Sequence, residues 1–176
     1  ARLGLTHGGL DYYIAALREC FEECGLLLAE PERDGASAAQ LGEWRVPLHR
    51  GERRLADLCT QHGLKLAADR LAYFSHWLTP VGRPKRFDTR FFVAPLPPGQ
   101  VASADLSELT EHAWINPASV AEAIERGEIV VVPPTLLTLE DLDESYHRHG
   151  SLAAMLEGER GRATPPVMPR MEVRPG

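Results

Sequence analysis

Residues 11–24 constrain the chain more than any other stretch. Ile14, Leu17, Phe21 and Cys24 recur at spacings of 3, 4 and 3, which is one face of an α-helix. Asp11 is the predicted N-cap and Gly25 the predicted C′ residue. At roughly 100° per residue, Glu19, Glu22 and Glu23 fall on the side opposite the apolar positions. Ala15 and Ala16 adjoin that acidic face and leave it open. Like charges at i, i+3 and i, i+4 repel by roughly 0.2–0.5 kcal/mol per pair. Such a face is either solvated or matched by a cation. Carboxylate oxygens are hard donors, suited to Mg²⁺ or Mn²⁺, and a divalent ion would reverse the sign of the repulsion. Arg18 stands four residues before Glu22, where it can hold that carboxylate.

The remaining pattern alternates helices and strands. "LLLA" after Gly25 is a short buried strand or extended segment, and residues 31–45 are polar and turn-rich, predicting a loop. Residues 49–62 predict a helix with Leu55, Leu58 and Cys59 inward, ended by Gly63. Residues 70–80 predict a strand stopped by Pro80, and "RFDTRFFVAPL" at 86–96 is the best strand in the chain. "HAWIN" at 112–116 predicts a shorter one. Asn116 and Pro117 predict the N-cap and N1 of a helix through Arg126, and Thr138 the cap of another, followed by a short helix at 151–157. Residues 158–176, with four prolines, predict an extended tail, a dimer arm or a strand remnant. Interleaved strands and helices give an α/β or α+β class.

The helix carries a familiar order of residues. Arg18-Glu19-Cys20-Phe21-Glu22-Glu23-Cys24-Gly25-Leu26 resembles the second half of the Nudix box, REUxEExGU with U hydrophobic. The box's first half is out of register: Gly4 fits its leading glycine, but Leu10 stands where the box has a glutamate. "FSHWLTP" at 74–80 and "RFDTRFF" at 86–92 further resemble the coenzyme A and acyl-coenzyme A diphosphatase-like branch, which carries an insertion within the box. The resemblance implies the α/β Nudix fold, an α/β/α sandwich with a mixed sheet between helices. Its leading strands are expected upstream of Ala1. It also implies one Nudix domain over 1–157, with a loop or helical insertion at about 31–69 and a tail over 158–176.

The activity implied is divalent-metal-dependent hydrolysis of a small-molecule nucleoside diphosphate derivative. Coenzyme A or acyl-coenzyme A would give 3′,5′-ADP and a 4′-phosphopantetheine derivative. ADP-ribose or NADH is the alternative substrate class, and a catalytically weak Nudix-like binding domain is the alternative function. Glu19, Glu22 and Glu23 carry over as Mg²⁺ or Mn²⁺ ligands and Arg18 as their orienting partner. The general base is one of these glutamates or a carboxylate from a later loop, where Glu108 and Glu111 are the candidates, also as metal ligands. The fold family admits a homodimer.

Arg86, Asp88 and Arg90 alternate on one strand face. Arg86 and Arg90 serve either as a phosphate clamp fixed by Asp88 or as part of a cross-strand ion-pair ladder. Trp77 and Trp114 read as core residues, and His147 and His149 as a surface helix end. The net charge of −6 and pI near 5.6 argue against a nucleic-acid or membrane-surface partner. No run of about 18 apolar residues predicts a membrane span. Cys20, Cys24 and Cys59 make an odd count with no CxxC pair, which points to a reducing, cytoplasmic setting.

Overall fold

The computed structural model describes residues 3, 8–31, 37–105 and 112–170. The chain forms two compact units, one within Leu5–Leu71 and Ala94–Ala113 and the other within Ala72–Val93 and Trp114–Gly176.

In the first unit, α1 (Gly9–Cys24) starts earlier than expected. Gly8 is its N-cap, at φ 73°, and its carbonyl accepts from the Asp11 amide at 3.1 Å, so Asp11 lies in the first turn. A glycine reaches this left-handed conformation without the Cβ clash. Gly25 ends the helix as the spacing predicts. Two three-residue strands, β1 (Ala29–Pro31) and β2 (Leu64–Leu66), pair antiparallel with Ala29 opposite Leu66.

The stretch expected to be a loop holds α2 (Ala38–His49). Ser37 caps it: its hydroxyl accepts from the Gln40 amide, and the Gln40 side chain returns to the Ser37 amide, a capping box. The helix predicted from 49 is shorter, α3 (Leu55–His62). Phe21, Leu27, Trp44, Leu48, Leu55 and Leu58 form the core that fixes α1 to α2 and α3. The Trp44 indole N–H is satisfied at His62 Nε2, 3.1 Å away. Gln100 acts as a strand neighbour, accepting from the Leu27 amide at 2.8 Å and donating to its carbonyl at 2.9 Å.

In the second unit, β3 (Ala72–Leu78) pairs antiparallel with β4 (Asp88–Val93), with a register shift between Tyr73 and Ser75. Residues 72–77 are buried throughout, so β3 has neighbours on both faces. α4 (Val120–Glu125) follows a 3₁₀ turn at Pro117–Ser119 that Asn116 caps. α5 (Pro133–His149) begins five residues before Thr138, because the Pro133-Pro134 pair suits the first turn, where N–H groups have no helical partner. Thr138 is instead buried within α5, bonded to Ser75 Oγ at 2.8 Å and accepting from Trp77 Nε1 at 3.1 Å. α6 (Leu152–Gly161) packs Met155 and Leu156 against Ala72.

Residues 112–116 join no strand, and Trp114 is 73% exposed rather than in the core. That short run alternates too briefly to bury a face of its own. Val167, in the tail, forms a parallel bridge to Trp77, exchanging backbone bonds with His76 and Leu78 at 2.8 Å each.

Candidate active site

The C-terminal half of α1 presents the charged residues. Arg18 Nη1 donates to Glu22 Oε2 at 2.7 Å, one turn on, and Arg18 Nη2 pairs with Glu19. Glu19 is half exposed, whereas Glu22 is only 2% exposed. The acidic face is therefore not uniformly open: α2 and residues 103–105 cover the side of α1 that carries Glu22. Oε1 of Glu22 is buried and has no hydrogen-bond partner among the described residues. A buried carboxylate oxygen left in this state costs free energy. Among the described residues no three His, Cys, Asp or Glu side chains are gathered to hold a metal ion. Arg18 stands between Glu19 and Glu22 and supplies their counter-charge.

A cleft of about 320 Å³ borders Glu22. Arg45 and His49 line it from α2, Arg50 from the residue that caps that helix, and Asp105 from the segment after Gln100. Arg45 closes the end of α1. Its Nε donates to the Glu22 carbonyl at 2.8 Å and its Nη2 to the Glu23 carbonyl at 2.5 Å. It also reaches Ser103, with Nη1 on the hydroxyl at 2.8 Å and Nη2 on the carbonyl at 2.6 Å. The Ser103 amide in turn donates to the Cys24 carbonyl at 2.9 Å. These bonds satisfy carbonyls that a helix C-terminus leaves orphaned.

Burial, then Cys24 and Glu23, push the Cys20 thiol up to about 11 from the ordinary 9.0. Burial also raises Cys24, with Glu23 adding and Arg45 opposing. Both thiols are therefore protonated packing groups near neutral pH.

Glu108 and Glu111 lie outside the described residues. Arg86 and Arg90 belong to the second unit. Arg90 and His76 are register partners, and Asp88 Oδ1 binds both, Arg90 Nη1 at 2.7 Å and His76 Nε2 at 2.6 Å. Arg86 precedes β4 and donates instead to the Thr79 carbonyl at 3.0 Å. Asp88 thus orients one arginine and a histidine across the strands, not the pair of arginines. His147 is exposed beside Asp143, and His149 Nδ1 bonds the Ser145 carbonyl at 2.8 Å. Arg45 and Asp105 belong to no motif that marks them in the sequence. The Ser37–Gln40 capping box was the signal that could have placed Arg45 on a helix.

A family model, the NUDT19 Nudix domain, matches residues 6–142. The chain belongs to this family. Among similar proteins is the acyl-coenzyme A diphosphatase NUDT19 of Gallus gallus, 33% identical over 154 residues that make up 75% of this chain and 40% of the relative. The Xenopus laevis protein of the same name is 30% identical, with 78% of this chain and 40% of the relative covered. The chain thus spans about 40% of the length of these relatives. A solved NUDIX hydrolase from Alicyclobacillus acidocaldarius matches with a TM-score of 0.62 at 24% identity, over 82% of this chain and 64% of that one. The fold is the α/β Nudix fold.

The residues present fit the hard divalent ion that this family implies. The donors are carboxylate oxygens, and Glu22 Oε1 is a buried oxygen that no group among the described residues satisfies. No helix among the described residues is long and apolar enough to cross a membrane.

Proposed function

We propose that this Nudix domain hydrolyses the diphosphate of coenzyme A or an acyl-coenzyme A, using Mg²⁺ or Mn²⁺. The products are 3′,5′-ADP and a 4′-phosphopantetheine derivative. One observation carries the reading: Glu22 has one oxygen held by Arg18 and the other buried with no hydrogen-bond partner among the described residues, and it borders a cleft in a domain of this family. The names of the vertebrate relatives support the substrate class.

Glu22 would be the principal ligand, and Glu19 and Glu23 the further carboxylates that would hold the ion. A bound divalent ion supplies charge neutralisation at the phosphate oxygens and a more acidic water. Arg18 keeps the Glu22 carboxylate in one rotamer and shields it from Glu19. Water adds to one phosphorus as the bridging P–O bond breaks, and the departing phosphate carries away the bridging oxygen. The proton of that water passes to a carboxylate base, either a box glutamate or Glu108 or Glu111. Arg50, at the C-cap of α2, places a cation on the cleft wall, which favours an anionic guest.

The test is a product assay with either ion, comparing acyl-coenzyme A, coenzyme A, ADP-ribose and NADH. Release of 3′,5′-ADP from the first two is the expected outcome. Preference for ADP-ribose or NADH removes the coenzyme A assignment, and turnover of none of the four removes the enzymatic one.

A further inference from the structure

We propose that Arg45 is a positioning residue, which holds Glu22 and Asp105 on one cleft by clamping the last turn of α1 to residues 103–105. Its kinetic consequence rests on the proposed function, but its structural consequence does not.

The guanidinium is spent on the protein itself. Its Nε and both Nη atoms make four hydrogen bonds, two to the carbonyls of Glu22 and Glu23 and two to Ser103. A planar fork of five N–H donors can do this, and a lysine ammonium on a flexible stem cannot reproduce its geometry. The helix C-terminus carries partial negative charge, so the cation is also favoured there electrostatically. Arg45 therefore does not serve as a free phosphate ligand, although it lines the cleft.

Gly25 makes the clamp possible. A Cβ on Gly25 would lie 3.2 Å from Arg45 Nη1 and 3.2 Å from Ser103 Oγ. That is tighter than ordinary contact, and the residue also sits at φ +71°. The glycine of the box thus both ends the helix and leaves room for the guanidinium. The clamp fixes two walls of the cleft. Arg45 sits one turn before His49 on α2, and Ser103 sits two residues before Asp105. Loosening Arg45 releases Ser103 from the end of α1 without removing either carboxylate.

The experiment uses the full chain and its Arg45→Lys variant. NMR measures exchange of the Ser103 amide, which donates to the Cys24 carbonyl. Electron paramagnetic resonance measures Mn²⁺ binding, and steady-state kinetics separates kcat from KM on the substrate identified above. Expected are folded protein by circular dichroism, Ser103 exchange at least about tenfold faster, weaker Mn²⁺ binding, and kcat lowered about tenfold or more with KM changed less than about threefold. Wild-type exchange at Ser103 overturns the proposal. So does faster exchange with unchanged kcat and Mn²⁺ affinity, since Arg45 would then be structural only. If Arg45→Lys fails to fold, Ser103→Ala removes one acceptor, leaves the helix carbonyls capped, and is read the same way. If the wild-type protein hydrolyses no substrate, the proposed function fails, and the Arg45 inference is decided by Ser103 exchange and Mn²⁺ binding alone.

Discussion

Glu22 and Thr138 illustrate opposite fates of a buried polar group. Thr138 is paired on both sides, to Ser75 and Trp77. Thr138→Val should cost about 1–3 kcal/mol by chemical denaturation, because the Trp77 N–H loses its acceptor inside the fold. Glu22 keeps one oxygen without a hydrogen-bond partner among the described residues. Glu22→Gln retains an acceptor for Arg18 and replaces a buried charge with a neutral group. Its melting temperature should equal or exceed the wild-type value, while kcat/KM on coenzyme A substrates falls by about 100-fold or more. A lower melting temperature with full activity would contradict the metal-ligand role. Cys20 adds a pH dependence. Its folded-state value is raised to about 11 from 9.0, so between those values the unfolded chain holds fewer protons and stability falls as pH rises. Urea midpoints at pH 8 and pH 10.5 should differ more for the wild type than for Cys20→Ala. At this scale the i, i+4 pairing of Arg18 with Glu22 was legible, because helix geometry alone brings them together. Arg45 was not, because it meets the Glu22 carbonyl across 23 positions of sequence.

Helix α2 shows how an element hides. Gly42 and Pro47 lie inside it, and its apolar residues trace no clean stripe, so periodicity points to a loop. The structure holds it through its ends and two large anchors, the capping box at Ser37 and the burial of Trp44 and Leu48. Ser37→Ala should therefore cost about 1 kcal/mol by denaturant titration. Any loss of activity should track that loosening, since Arg45 rides on this helix. Strands β3 and β4 were easier to read, because β-branched and aromatic residues cluster between Pro80 and Pro95 and their flanks. The helix at 133 was misplaced by five residues. Thr138 resembles a cap in isolation, but the two prolines before it are the real start signal.

For the whole molecule, the chain order and the spatial order differ. The first unit draws on residues before Leu71 and again after Ala94, with the β3–β4 hairpin of the second unit between them in sequence. Single-sequence patterns carry no information about such returns. A fragment ending at Leu71 lacks Gln100 and Ser103, which complete the bonding of Leu27 and of the end of α1. By circular dichroism it should show markedly less helix than the same residues contribute in the full chain. The tail has a consequence of its own. Val167 occupies the flank of β3 away from β4, taking up the backbone groups of His76 and Leu78. Clipping the chain ahead of Thr164 would leave that flank as an unguarded template for a neighbouring molecule's backbone, and light scattering should reveal the shortened protein growing into assemblies that the longer one does not form.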